Sequence, residues 1–193
     1  MLDNIRKYTV ILASKSPRRR ELMQMLRVPF KTVVISGIEE KYPDTLPVSQ
    51  VPGYLSELKA DAYIERMGDD EMIITADTVV VSEGRILGKP RDDREALEML
   101  MMLSGKTHDV VTGVTIATRE KRVSFSTTTK VTFVEFSREE AEYYIDNYRP
   151  LDKAGAYGIQ EWIGCVAVSG IEGSYYNVMG LPVHRLYHEL KDF

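Results

Sequence analysis

A β-forming run at 9–13, Thr-Val-Ile-Leu-Ala, ends at Ser14 and predicts a first strand. A helix should follow directly. Ser16 suits its N-cap and Pro17 its first position, while Leu22, Met23 and Leu26 share one face. Residues 30–35 read as a second strand. The polar, proline-bearing stretch 39–52 reads as a loop, and a helix from about Pro52 sets Leu55, Leu58 and Ala62 on one stripe beside Lys59. Residues 72–81 form an apolar strand that contains Asp77, and Ser82-Glu83-Gly84-Arg85 turns it into a hairpin. A helix at 93–103 turns Ala96, Leu97, Leu100 and Leu103 inward and stops at Gly105. Two Thr/Val-rich strands follow at 108–118 and 122–136. Ser137 and Glu140 fit a capping box for a helix carrying Ala141, Tyr144, Ile145 and Tyr148. A glycine-rich loop at 153–158, a strand at 163–168, a turn at 173–182 and a helix from Pro182 complete the chain. Helices alternate with strands, yet long strands also adjoin, so the expected fold is α/β with a mixed sheet flanked by helices.

The 193 residues carry 25 basic and 29 acidic side chains, a net charge of −4. That balance argues against broad nucleic-acid binding, although a local basic patch can still hold phosphates. No uncharged stretch reaches the ~20 residues that span a bilayer, and the N-terminus lacks the apolar region of a secretory signal. The single Cys165 excludes an internal disulfide and a multi-cysteine zinc site. Its apolar neighbours predict a buried residue. Without repeats or linkers, 1–193 reads as one domain of a cytoplasmic protein that engages no membrane. His184 and His188 are four apart, but Arg185 stands where an HExxH zinc motif needs glutamate.

Three segments carry candidate chemistry. Ser14-Lys15-Ser16-Pro17-Arg18-Arg19-Arg20 places hydroxyls and guanidinium groups at a helix N-terminus, where unpaired N–H groups and the helix dipole favour an anion such as a polyphosphate. Successive helical residues point about 100° apart, so Arg18 and then Arg19 are the candidates and Arg20 is left on the surface. A capped helix with a solvated basic turn is the competing reading. Asp77, with Thr78 beside it, is an ionisable group inside an apolar strand. It is either a structural carboxylate satisfied by N–H groups or lysine, or a general base or Mg²⁺ ligand. Glu40, Lys59 and Lys89 are individually ordinary surface charges that would complete a triphosphate site if the fold gathered them. In the loop 153–160, Gln160 offers a donor and an acceptor that match the O4/N3 edge of uracil or thymine. A glutamine in a turn is the plainer alternative.

Ala13-Ser14-Lys15-Ser16-Pro17-Arg18-Arg19, Ala76-Asp77-Thr78, Gly88-Lys89-Pro90-Arg91-Asp92, Leu103-Ser104-Gly105, Lys153-Ala154-Gly155-Ala156-Tyr157-Gly158-Ile159-Gln160 and Gly173-Ser174-Tyr175-Tyr176-Asn177-Val178, taken in order, resemble the Maf family of nucleoside triphosphate pyrophosphatases. The resemblance covers almost the whole chain. It implies an elongated mixed sheet with two lobes around a cleft, like inosine triphosphate pyrophosphatases, and a homodimer. It also implies hydrolysis of dTTP and UTP, with modified pyrimidine triphosphates as further candidates, to monophosphate and pyrophosphate. A divalent cation, Mg²⁺ or alternatively Mn²⁺, is the implied cofactor. Asp77 matches the family's proton acceptor. Ser14, Arg18, Arg19, Glu40, Lys59 and Lys89 match its phosphate- and metal-side positions, Glu40 and Asp77 being the metal candidates. Arg18, Thr78 and Gln160 match positions tied to base selection. Ser16 joins the substrate-binding set through its place in the first turn. The rival class is a non-catalytic, nucleotide- or nucleic-acid-binding regulator of septum formation, which leaves Asp77 without a role.

Overall fold

Val10, Ile11 and Leu12 are buried at the centre of β1 (Thr9–Ala13), the strand expected from the opening apolar run. The structure is a computed structural model and describes residues 2–34 and 36–193. The chain divides into two compact units, one formed by Met1–Asp77, Thr112–Thr127 and Gly180–Phe193, the other by Thr78–Val111 and Thr128–Met179. Strands follow the order β2 (Lys31–Val33), β1, β3 (Glu71–Ser82), β5 (Thr107–Ala117), β6 (Arg122–Phe133) and β7 (Val168–Glu172), with β4 (Arg85–Leu87) paired to β3. Parallel β1–β2 and β1–β3 pairs coexist with antiparallel β3–β4 and β6–β7 pairs, so the sheet is mixed, as expected.

In the first unit, β1 lies between β2 (Lys31–Val33) and β3 (Glu71–Ser82), with Leu12 opposite Thr32 on one side and Ile74 on the other. β2 is shorter than the expected 30–35. Lys31 and Thr32 are exposed, so little burial rewards extension of this edge strand. Ile35, the end of that expected strand, lies outside the described residues. Helix α1 (Pro17–Met25) begins as read from the sequence, with the Ser16 hydroxyl accepting the Arg19 N–H and Pro17 in the first turn.

Helix α2 (Val51–Ile64) departs from expectation in the face it buries. Val51, Leu55, Ser56 and Ala60 point inward, whereas Leu58 and Ala62 are only partly covered. The cause lies on β5 (Thr107–Ala117). A Cβ at Gly113 would stand 2.3 Å from the Gly53 nitrogen and 2.3 Å from the Pro52 carbonyl carbon, so the start of α2 rests directly on strand backbone. Ser56 is tolerated inside because its hydroxyl is 2.8 Å from Thr115 Oγ1 and donates to the Gly53 carbonyl, while Thr75 donates to the Ser56 carbonyl at 2.6 Å. Helix α7 (Val183–Asp192) closes this unit with Val183, Leu186 and Leu190 buried.

In the second unit, β3 turns into β4 (Arg85–Leu87) through Glu83 and Gly84. Both have positive φ, 51° and 74°, the backbone that a two-residue hairpin turn requires. Helix α3 (Asp93–Leu103) is capped by Asp92, and α4 (Arg138–Tyr148) by the reciprocal Ser137–Glu140 box. They pack a core of Leu100, Leu103, Val131, Phe133, Tyr144, Ile145 and Ile163. The strand β6 (Arg122–Phe133) ends three residues early, after a register shift at Thr132/Phe133, because the Val134 N–H turns to the Ala167 carbonyl.

The expected strand at 163–168 is instead helix α5 (Trp162–Ala167), followed by strand β7 (Val168–Glu172). A six-residue apolar run has too little length to separate the two periods. Burial shows the helical one, since Ile163 and Ala167 face inward four residues apart. Cys165 therefore points outward and is exposed, not buried as expected. The expected turn at 173–182 contains a further short helix, α6 (Tyr175–Met179), whose Asn177 amide donates to the Val110 carbonyl and to Thr129 Oγ1. Among the described residues no helix is long and apolar enough to cross a membrane.

His108 is 2% exposed, with Nε2 2.8 Å from the Tyr157 hydroxyl and Phe133 packed edge-on against its ring. Loss of hydration lowers its pKa from 6.5 to about 4, so it is neutral in the folded chain at neutral pH. The unfolded chain takes up a proton below pH 6.5 that the folded chain refuses until about pH 4. Its contribution is therefore present above pH 6.5 and is lost as pH falls through that window, by at most ~1.4 kcal/mol per pH unit. In urea titrations at pH 7 and pH 5, wild type should lose about 2 kcal/mol more than His108→Gln. Equal losses would remove His108 as the source.

Candidate functional site

Asp77 is the last residue of the first unit, on β3, and its side chain is only 13% exposed. An ionised carboxylate in that setting needs a partner. Lys59, on α2, supplies one: its ammonium donates to Asp77 Oδ1 at 2.6 Å. The same nitrogen lies 3.1 Å from Glu40 Oε1, which leaves the 39–52 loop region with 54% of its side chain exposed. Lys59 itself is 15% exposed, so it is not the solvated surface cation of the plainer reading. Two carboxylates thus converge on one ammonium.

The arginine-bearing turn sits against the same strand. Arg19 donates from Nη1 to the Ala76 carbonyl at 2.8 Å and from Nε to the Gly180 carbonyl at 2.8 Å. Its guanidinium is desolvated, which lowers its pKa, while the Asp77 charge opposes that shift. These bonds clamp the peptide immediately before Asp77 to α1. Arg18, half-buried, occupies the preceding position on the helix, and Arg20 is exposed, as expected. Arg19 is thus tied to the strand that carries the acid. Ser14 accepts the Ser16 N–H at 3.2 Å and Ser16 caps α1, so both hydroxyls border the same turn. The first unit therefore gathers Ser14, Ser16, Arg19, Lys59, Glu40 and Asp77 around the end of β1, the start of α1 and the middle of β3, with Arg18 beside them on α1.

Thr78, Lys89 and Gln160 belong to the second unit. Thr78 is half-buried and follows Asp77 directly; Lys89 and Gln160 are exposed. Gln160 stands at the end of a run, 155–159, that is buried throughout. The same loop carries a polar group made by Lys153 and Glu161 with Tyr144 of α4. Lys153 is 7% exposed, with its ammonium 3.1 Å from Glu161 Oε1 and 2.8 Å from Asp152 Oδ1. The Tyr144 hydroxyl donates to Glu161 Oε2 and accepts the Gly158 N–H at 3.0 Å. A lysine and a glutamate eight residues apart, bracketing two glycines, are a weak signal in sequence. Only the fold shows them to be partners.

Carboxylate oxygens are the donors that Mg²⁺ prefers, and Glu40 and Asp77, which both meet the Lys59 ammonium, are the residues here that could hold a divalent cation. Among the described residues no cluster of three or more His, Cys, Asp or Glu could hold a metal by itself. Two protein carboxylates with the remaining ligands from phosphate and water is the usual arrangement for Mg²⁺ on a polyphosphate.

The Maf-like protein family matches residues 9–193. The chain belongs to the Maf family. It is 56% identical over 191 residues to a dTTP/UTP pyrophosphatase of Phocaeicola vulgatus, covering 99% of each chain. It is 54% identical over 195 residues to a dTTP/UTP pyrophosphatase of Porphyromonas gingivalis, covering all of this chain and 98% of that one. Among solved structures, a HAM1 protein from Coxiella burnetii aligns over 96% of this Maf chain and all of its own, with a TM-score of 0.53 at 13% identity. That likeness concerns the fold alone and agrees with the mixed-sheet architecture of this Maf protein.

Proposed function

We propose that the chain is a nucleoside triphosphate pyrophosphatase acting on dTTP and UTP, with Asp77 as the base that activates water. The observation that carries the chemistry is the Asp77 carboxylate held by Lys59 beside the arginine-bearing turn. The choice of dTTP and UTP comes from full-length relatives of that name, which support the enzyme over the non-catalytic regulator.

Lys59 occupies Asp77 Oδ1, and Oδ2 is left to accept a proton from water. Oxygen of that water bonds to the α-phosphorus, the bond from that phosphorus to the bridging oxygen breaks, and pyrophosphate departs. Lys59, Lys89 and Arg18 offset the charge that grows on the departing group, with Ser14 and Ser16 as hydroxyl donors to phosphate. Arg19 positions the acid through the Ala76 carbonyl as well as adding positive charge. A divalent cation on Glu40 and Asp77 would supply Lewis-acid neutralisation of the phosphates. Thr78 and Gln160 are assigned to the base, Gln160 pairing with the O4/N3 edge of uracil or thymine. A cytoplasmic homodimer completes the reading, supported by the family resemblance and by the lone thiol.

The test is pyrophosphate release from a panel of canonical and modified triphosphates with Mg²⁺. Release should be greatest with dTTP and UTP, vanish in EDTA and return with added Mg²⁺ or Mn²⁺. No release from any triphosphate would overturn the enzyme, and release unaffected by EDTA would overturn the metal.

A further inference from the structure

Gln160 projects from a segment built with unusual backbone. Gly155 and Ala156 both have left-handed φ, 67° and 59°. For alanine that conformation costs on the order of 1 kcal/mol, and it persists only where the surroundings enforce it. Here the Gly155 N–H donates to the Gly88 carbonyl and the Ala156 N–H to the Lys153 carbonyl. A Cβ at Gly155 would fall 2.9 Å from Val80, so the turn lies flat on the strand.

The two residues that bracket Gln160 most closely in the hydrogen-bond network are Gly158 and Glu161. Both are tied to one atom, the Tyr144 hydroxyl, which accepts from the Gly158 N–H and donates to Glu161 Oε2. Glu161 Oε1 is taken by Lys153. Every polar atom of this small group thus has a use, and Tyr144 is fully buried. A buried ion pair of this kind rarely adds net stability over apolar side chains of equal volume. It does impose one geometry, because each group tolerates few alternatives.

That geometry matters for a carboxamide. Glutamine carries a donor and an acceptor, and uracil presents an acceptor and a donor along its O4/N3 edge. Cytosine presents the reverse pattern. A glutamine free to approach from several directions satisfies both bases, and one held on a fixed main chain does not.

We propose that Lys153, Glu161 and Tyr144 form a positioning network that fixes the main chain on both sides of Gln160 and thereby sets discrimination between uracil and cytosine nucleotides. This rests on Gln160 reading the base. The network touches no substrate itself, and its loss acts on selectivity through Gln160.

The experiment compares kcat/KM for UTP and CTP in wild type, Tyr144→Phe, Glu161→Gln, Gln160→Ala and the double variant Tyr144→Phe/Gln160→Ala. Tyr144→Phe and Glu161→Gln should each lower the UTP-to-CTP ratio by about tenfold, the value of one lost charge-assisted hydrogen bond, chiefly through KM for UTP. Gln160→Ala should lower it at least as far. In the double variant, Tyr144→Phe should add no further change in the ratio, because the residue it acts through is gone. A merely structural network would instead depress kcat/KM for both nucleotides alike. If Gln160→Ala collapses the ratio while Tyr144→Phe and Glu161→Gln preserve it, the positioning role is overturned and base reading survives. If Gln160→Ala preserves the ratio, base reading fails and the positioning role fails with it. Glu161→Gln keeps the side-chain length and one acceptor oxygen while losing the charge and the second acceptor, so it supplies the answer should Tyr144→Phe not fold.

Discussion

Asp77→Asn folds normally and turns over dTTP and UTP ~10²–10⁴ times more slowly than wild type. The amide oxygen of asparagine still accepts the Lys59 hydrogen bond, and Glu40 still balances the ammonium at 3.1 Å, so no charge is stranded. What disappears is the capacity of Oδ2 to take a proton. Nucleotide binding, followed by calorimetry in Mg²⁺, should weaken far less than turnover. Steady-state pyrophosphate release is the decisive measurement, and a variant with wild-type kcat removes Asp77 as the base.

Gly113→Ala has the second-largest expected effect, although residue 113 carries no functional group. Its new methyl would lie 2.3 Å from both the Gly53 nitrogen and the Pro52 carbonyl carbon. Backbone cannot step aside as a flexible side chain does, so the start of α2 must lift. The Ser56–Thr115 contact, three residues further along the helix, lifts with it. Overpacking of this type costs about 1–3 kcal/mol. For a chain of this size that is roughly 2–4 °C in Tm for each kcal/mol. Lys59 rides on the same helix, and a displacement near 1 Å in a catalytic group can cost ~10² in rate. Thermal melts and pyrophosphate release should therefore fall together in Gly113→Ala. An unchanged Tm with full activity would show that the contact is slack.

The elements readable from sequence are those announced by short-range chemistry. Ser16-Pro17, the Ser137–Glu140 pair and Glu83-Gly84 each mark a boundary with a cap or a turn, and each boundary stands where the sequence puts it. The failures share a different origin. Residues 163–168 are too short and too uniformly apolar to declare a period, and Cys165 was misplaced along with them. The inward face of α2 is set by contact with Gly113, about sixty residues away in sequence, so the Leu58 and Ala62 stripe was an error no local pattern could correct.

The candidate site divides the same way. Asp77 was conspicuous because a carboxylate in an apolar strand demands a partner. Its partner Lys59, 18 residues earlier, looked like any helical lysine. The Arg19–Ala76 bond spans 57 residues, so the sequence, which puts Arg18 ahead of Arg19, carries no local sign of it. Lys153 and Glu161 had the opposite problem. Their separation is short, but nothing in the sequence shows that the lysine is buried or that Tyr144 completes the group.

The outward turn of Cys165 gives the chain a single chemical address. A thiol-directed fluorophore or spin label would attach once per molecule, on the helix that follows Glu161, without any change to the sequence. Reagents that acylate or alkylate thiols would reach that one position at stoichiometric dose, and two chains kept under oxidising conditions could be joined through it.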